Sequence, residues 1–413
     1  MNNKLTQKNI PDGWRYERLG RIATVITGIT PNTKVDEYYK GGYLFVSPAD
    51  ITSKYVNATV KTLTKAGFDQ CRKIPKGAVL FTCIGSTIGK IGIAGCDLAT
   101  NQQINSVIGK KADTGFLYNQ LLLRAPRIKL MAGIQAVPIV NKGLFESVDI
   151  LFPPIPEQKR IVAVLDAWDD YLKGLDCKIK IKKSIKKGLM QQLLTGKKRL
   201  KSFFSQWKKT PLAKIGSFNK GAGITKDDLK KTGCNAVRYG ELYTDHDFCI
   251  KKILSFISEE VAGRAKLISK GDILFAGSGE TIDEIGKSAV YLFVEKCYAG
   301  GDIIVFTPRD CDSTFLAYTV NAGSCRKEIR RVGQGQSVVH VYKKDLEKIL
   351  VNIPVLKEQK TIADILTKAD DEIDALVKKR GLIAAQKKYL LDKLITGEIR
   401  TPGNLLEKVK THE

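Results

Sequence analysis

Histidine is nearly absent from this chain: His246, His340 and His412 are the only three in 413 residues. They lie far apart in sequence, so a nucleophile–His–acid triad is unsupported. Cysteine occurs nine times but scattered, with no Cys-x-x-Cys pair, and neighbours such as Cys71, Cys83 and Cys96 lack ligand spacing. That excludes a zinc ribbon and fits reduced thiols rather than a disulfide framework. No apolar run approaches the roughly 18 residues a spanning helix needs. The first 13 residues hold no apolar stretch, so no secretory signal is expected and the location expected is cytoplasmic. Acidic residues are in short supply: 43 Asp+Glu against 68 Lys+Arg give a net charge of +25 and a pI near 9.5. Such an imbalance points to a polyanionic partner, nucleic acid first and a membrane surface second.

Catalytic motifs are also missing. Gly286-Lys287-Ser288 ends like a phosphate-binding loop, but Thr281 stands where the first glycine is required. The run from Gly85 to Lys90 is one spacing short and continues into Ile91. Phe152-Pro153-Pro154-Ile155 has the wrong flanks for the Asn/Asp-Pro-Pro-aromatic loop of adenine methyltransferases, and no glycine fingerprint precedes it. Glu157-Gln158-Lys159 and Glu358-Gln359-Lys360 have the Glu-x-Lys form of a nuclease metal site. Both open helices, however, where a carboxylate is favoured by the free N–H groups and the dipole. The chain therefore reads as a binding protein with no metal and no cofactor of its own.

What is present is a repeat. Glu157-Gln158-Lys159 recurs 201 residues later as Glu358-Gln359-Lys360, and Thr195-Gly196 recurs at the same offset as Thr396-Gly397. Between these anchors Asp169-Asp170, Lys186-Lys187 and many apolar residues coincide with Asp370-Asp371, Lys387-Lys388 and their counterparts. The apolar positions follow two interleaved seven-residue series, the mark of a coiled coil. The expected seam is Ile161, Leu165, Trp168, Leu172, Leu175, Leu189 and Leu193 in the first copy. In the second it is Ile362, Leu366, Ile373, Leu376, Ile383, Leu390 and Leu394. Lys186 and Lys387 place a charge at a seam position in each copy. Prolines precede each helix and Thr-Gly ends it. A helix of roughly 38 residues is about 57 Å long.

Charge sets the expected orientation. The C-terminal half of the first helix carries Lys178, Lys180, Lys182, Lys183, Lys186 and Lys187, and the N-terminal half of the second carries Asp370, Asp371, Glu372 and Asp374. Antiparallel pairing opposes them and sets Asp169 and Asp170 near Lys387 and Lys388. Parallel pairing would face lysine with lysine.

The segments before the helices are short apolar runs broken by Gly, Asn and Asp, as in Ala78–Phe81 and Ile303–Phe306, which predicts mixed α+β domains rich in short strands. They are weakly similar to each other: Trp14, Leu19, Ile22 and Gly28 match Trp207, Leu212, Ile215 and Gly221. The expected organisation is two globular segments at 1–153 and 201–354, long helices at 154–200 and 355–400, and a tail at 401–413. Segment 1–153 has 20 basic and 10 acidic residues, and 201–357 has 25 and 18, so both can hold phosphates. The DNA-binding candidates are loop residues that pair a basic, amide or hydroxyl group with turn chemistry. In the first segment these are Thr30, Lys34, Ser86, Thr87, Lys90 and Gln102. In the second they are Lys226, Arg238, Tyr239, Ser278, Lys287, Arg330, Arg331, Gln334 and Gln336. Arg reads guanine and Asn or Gln reads adenine by paired hydrogen bonds; the same residue types also cap turns.

Two unlike globular halves, each followed by a Pro-rich stretch, Glu-Gln, a heptad helix and Thr-Gly, resemble the specificity subunit of type I restriction–modification enzymes. Pro11-Asp12-Gly13-Trp14 with Leu19 and Ile22, the matching Trp207, Leu212 and Ile215, and Asn101-Gln102-Gln103-Ile104 also fit. The second half departs at the last motif, with Gly301-Asp302-Ile303. The resemblance implies two target-recognition domains, each reading half of a split double-stranded DNA site. It implies a coiled coil that sets the unread gap and a platform for two methyltransferase subunits, through which restriction subunits join. It implies a non-catalytic chain with no membrane and no small-molecule partner. The alternatives are a stand-alone nucleic-acid-binding or scaffold protein, and a fused methyltransferase or nuclease.

Overall fold

Five strands form the central sheet of the first globular segment, in the order Ala23–Thr27, Ile104–Gly109, Val79–Thr82, Ile91–Ala94 and Tyr55–Val56. The order of the five strands Gly216–Lys220, Ile303–Pro308, Ile273–Ala276, Ser288–Tyr291 and Cys249–Ile250 in the second segment is the same. In both, the last strand pairs parallel to its neighbour and the others pair antiparallel. The strands Val79–Thr82 and Ile273–Ala276 are buried at every position, as expected of a sheet covered on both faces. Smaller sheets flank them: Lys61–Leu63, Tyr39–Val46 and Ala99–Thr100 in the first, and five strands centred on Cys234–Val237 in the second. The weak similarity of the two segments is therefore a shared topology.

The computed structural model describes residues 10–133, 136–335 and 339–404. The chain divides into two units, Met1–Asp176 with Lys379–Glu413, and Cys177–Lys378. The two long helices, Ile155–Leu193 and Leu356–Thr396, run 39 and 41 residues, and each contributes to both units. Each ends at a glycine with positive φ, Gly196 at 70° and Gly397 at 77°, the left-handed cap that Gly takes without steric cost.

Each unit takes its core from three stretches of chain. In the first, Phe81, Phe116, Phe145 and Ile150 pack with Ile161 and Leu165 of the first long helix and with Leu391, Leu394 and Ile395 of the second. In the second, Phe275, Phe306, Phe315 and Leu316 pack with Ile362 and Leu366, and with Leu193 and Leu194. Fully burying each such side chain contributes about 1.5–3 kcal/mol. Among the seam residues, Ile161, Leu165, Leu175, Leu193, Ile362, Leu366, Ile373 and Leu394 are buried. Trp168, Leu172, Leu189, Leu376, Ile383 and Leu390 are half-buried. Arg380, which falls on the same heptad series, is exposed and pairs with Asp176 at 3.0 Å.

The helices pair antiparallel. In the first unit Asp169 binds Lys387 and Asp176 binds Arg380. In the second, Lys182 binds Glu372 at 2.7 Å and Lys186 binds Asp370. As the number rises along one helix it falls along the other. The seam lysines are thus satisfied by the two aspartates that the repeat itself supplies.

Glu157 and Glu358 do more than open helices. Glu157 accepts from both Nε and Nη2 of Arg400, at 2.6 and 2.8 Å, and from Nε1 of Trp14. Glu358 accepts from Nε and Nη2 of Arg199, at 2.8 and 2.9 Å, and from Nε1 of Trp207. The next residue also has one role in both units. Gln158 accepts from the Asp113 N–H and donates to Pro153 O; Gln359 accepts from the Asp312 N–H and donates to Pro354 O. Asp113 and Asp312 in turn cap the helices that start at Thr114 and Ser313. The dipole argument explains why a carboxylate is tolerated there, but the bonds go to an arginine and a tryptophan.

Candidate nucleic-acid interface

Strand direction gathers the loop candidates. In the first unit Thr27 pairs with Asn105 and Thr82 with Ile104. The C-terminal ends of two strands and the start of a third therefore share one sheet edge, which carries the loops 28–38, 83–90 and 101–103. All six candidates of this segment lie there. Thr30 Oγ1 donates to Gln102 Oε1 at 2.6 Å, tying two loops together. Gln102, Lys34 and Ser86 are exposed, and Thr87 is half-buried. Lys90 donates to Pro48 O at 3.0 Å. Asn101 is spent internally, bonding the Gln103 N–H and amide. Gly28 must stay side-chain-free, because a Cβ there would fall 2.1 Å from Asn101 O.

The second unit repeats the edge. Lys220 pairs with Ile304 and Ala276 with Ile303, and Val237 pairs parallel with Ala299, so the loops that follow these strands converge. Lys226 and Tyr239 are exposed. Arg238 Nε donates to Glu241 Oε1 at 3.1 Å and Ser255 Oγ at 3.0 Å. Lys287 donates to Tyr243 O. Arg330 pairs with Asp283, while Arg331 and Gln334 are exposed beside it. Ser278 is buried and sits 3.0 Å from Nδ1 of His340. Gln336 lies outside the described residues.

Sequence reasoning missed Asp302, His340 and Tyr342, which border a cavity on this second edge. The signal was the departure at Gly301-Asp302. It also missed Arg199 and Arg400, whose signal was their spacing of 201, the repeat's own offset.

One buried titratable group in the second unit lacks partners among the described residues. His246 is buried, and neither ring nitrogen has a hydrogen-bond partner among the described residues. Burial pushes its pKa below the ordinary value, partly offset by Glu241 and Asp245. The unfolded state then takes up the proton first. This contribution is intact above about pH 6.5 and is lost as pH falls through the depressed value. His246→Phe is expected to flatten the stability profile of the second unit below about pH 6.5, followed by hydrogen exchange of peptides from 205–335. An unchanged slope would refute the assignment.

The sequence model of the family described as type I restriction modification DNA specificity domain matches this chain twice, over residues 11–187 and 204–382. The chain belongs to that family. It is 25% identical over 419 residues to the type I restriction enzyme MjaVIII specificity subunit of Methanocaldococcus jannaschii, covering 95% of this chain and 94% of that one. It is 27% identical over 170 residues to the HindI specificity subunit of Haemophilus influenzae, covering 38% and 36%. Its fold is similar to the S subunit of a type I restriction–modification system from M. genitalium, with a TM-score of 0.59 and 16% identity over 94% of this chain and 97% of that one. It is likewise similar to a chain from a study of complex assembly and conformational transition of the type I R-M system, with a TM-score of 0.60 and 18% identity over 95% and 100%. No helix among the described residues is long and apolar enough to cross a membrane.

Proposed function

We propose that this chain is the DNA-specificity subunit of a type I restriction–modification complex in the cytoplasm, reading a bipartite, asymmetric target. The carrying observation is the sheet edge that occurs in both units with the same topology but different side chains. One frame presented twice with unlike loops suits two unlike half-sites. Thr30, Lys34, Ser86, Thr87, Lys90 and Gln102 would serve one half-site. Lys226, Arg238, Tyr239, Ser278, Lys287, Arg330, Arg331 and Gln334 would serve the other, together with Gln336. Phosphate contacts would position each domain and base-edge contacts would specify the sequence. The chain itself performs no chemistry; methyltransferase subunits docked on the paired helices supply the methyl transfer, and restriction subunits join through them.

The spacing of the half-sites tests the reading. The chain is co-expressed with its methyltransferase subunit, and the methylated motif is mapped by single-molecule sequencing. Deleting one heptad from both long helices is expected to shorten the unread gap and leave both half-sites unchanged. Altered half-sites, or no methylated motif from the intact complex, would sink the proposal.

A further inference from the structure

The second edge carries glycine where the first carries amide side chains. Before Ile104 the first unit carries Asn101, Gln102 and Gln103; before Ile303 the second carries Gly300, Gly301 and Asp302. A Cβ added to Gly301 meets nothing within 4 Å, and its φ is not positive. A cavity of about 670 Å3 lies beside Gly301 and Asp302.

The cavity wall changes character at equivalent positions. The first unit closes this corner with an apolar bridge between Ile84 and Ile139; the second sets Ser278 opposite His340. Val140 and Val341 donate to Cys83 O and Gly277 O respectively, so Asn141 and Tyr342 occupy the same place. Asn141 caps the helix Lys142–Glu146 with its side chain. Tyr342 heads Lys343–Leu346 with no side-chain cap and stays 49% exposed. The second unit thus forgoes a cap that Asn provides and gains an exposed aromatic ring, 6.4 Å from the His340 ring at an interplanar angle of 26°. Lys220, Lys343 and Lys344 also line the cavity. The fold does not require these groups, since the first unit builds the same corner without them.

The lining also holds two carboxylates, Asp302 and Glu347, the latter 3.7 Å from the Lys343 ammonium. A flat aromatic wall, ammonium groups and the carboxylate of Asp302 suit a flat polar ring carrying a phosphate. We propose that this cavity holds a single nucleotide, its base against Tyr342, its phosphate toward the lysines, and Asp302 accepting from the exocyclic amino group of cytosine or adenine. Thymine offers no such donor. The nucleotide is either unstacked from DNA bound at this edge, which rests on the DNA-specificity reading, or free in solution.

Two arms on the full-length chain test this. Saturation-transfer NMR with dCMP, dAMP and dTMP should show the first two bound and dTMP markedly weaker. A duplex with one unpaired cytosine should bind about tenfold more tightly than its fully paired counterpart, within the range for one stacked base. Both signals should vanish in Tyr342→Ala and in Gly301→Gln, which installs the first unit's side chain in the cavity. A bulge gain lost in the variants assigns the site to DNA; nucleotide signals alone, lost in the variants, assign it to free nucleotide. Equal binding of dTMP overturns the role of Asp302. Signals absent, or unchanged in both variants, overturn the pocket while paired-duplex binding persists. Loss of paired-duplex binding by the intact chain overturns the DNA reading instead.

Discussion

Asp370→Ala is expected to cost the second unit about 3–5 kcal/mol, the range for breaking one side of a buried ion pair. Lys186 occupies a seam position and is only 8% exposed. Its ammonium lies 4.0 Å from the centroid of Phe248 and 5.4 Å from that of Tyr318. Asp370 accepts from both Lys186 and the Tyr318 hydroxyl, the latter at 2.6 Å. Removing the carboxylate strands a cation between two rings, and their attraction for it is worth only about 2 kcal/mol. Lys186→Met with Asp370→Leu and Tyr318→Phe should recover most of the loss, because three apolar side chains need no partner. Hydrogen exchange resolved by unit is the measurement, since a chain of two units does not give one unfolding free energy. A loss below about 1 kcal/mol would mean the pair behaves as a solvated one.

Arg199→Ala should be nearly as damaging, about 2–4 kcal/mol. The Glu358 side chain is 1% exposed, and Arg199 satisfies both its oxygens. Without the guanidinium only the Trp207 N–H remains. Arg199→Lys should recover little, because one ammonium cannot reproduce the fork. The equivalent Arg400→Ala should cost less, since Arg400 is 43% exposed against 28% for Arg199 and water can replace it more readily. The reverse order in local unfolding measurements would count against this account of the latch.

The long helices were legible because their signals are local. Heptads, prolines and Thr-Gly act within a few residues, and like charges along one helix exclude the parallel arrangement without any knowledge of the rest. The candidate edge was legible only as a set of unconnected loops. Thr30 and Gln102 are 72 residues apart, and what unites them is that Ala23–Thr27 pairs with Ile104–Gly109, a non-local choice that no periodicity encodes. Glu157 and Glu358 were visible as repeated letters, but their bonds to residues 243 and 159 positions away were not. Asp302 showed itself only as a mismatch between the halves. Its meaning depends on the space beside it and Gly301, and empty space has no residue to be read.

The three-stretch core has a consequence for synthesis. Domains emerging from the ribosome ordinarily fold from the N-terminus onward. Here the segment made first has to wait longest: its core needs Leu391, Leu394 and Ile395, and its latch needs Arg400. The second unit has all its residues by Lys378. The order of completion is therefore the reverse of the order of translation, and Ile161 and Leu165 are made long before the residues that finish covering the core they join.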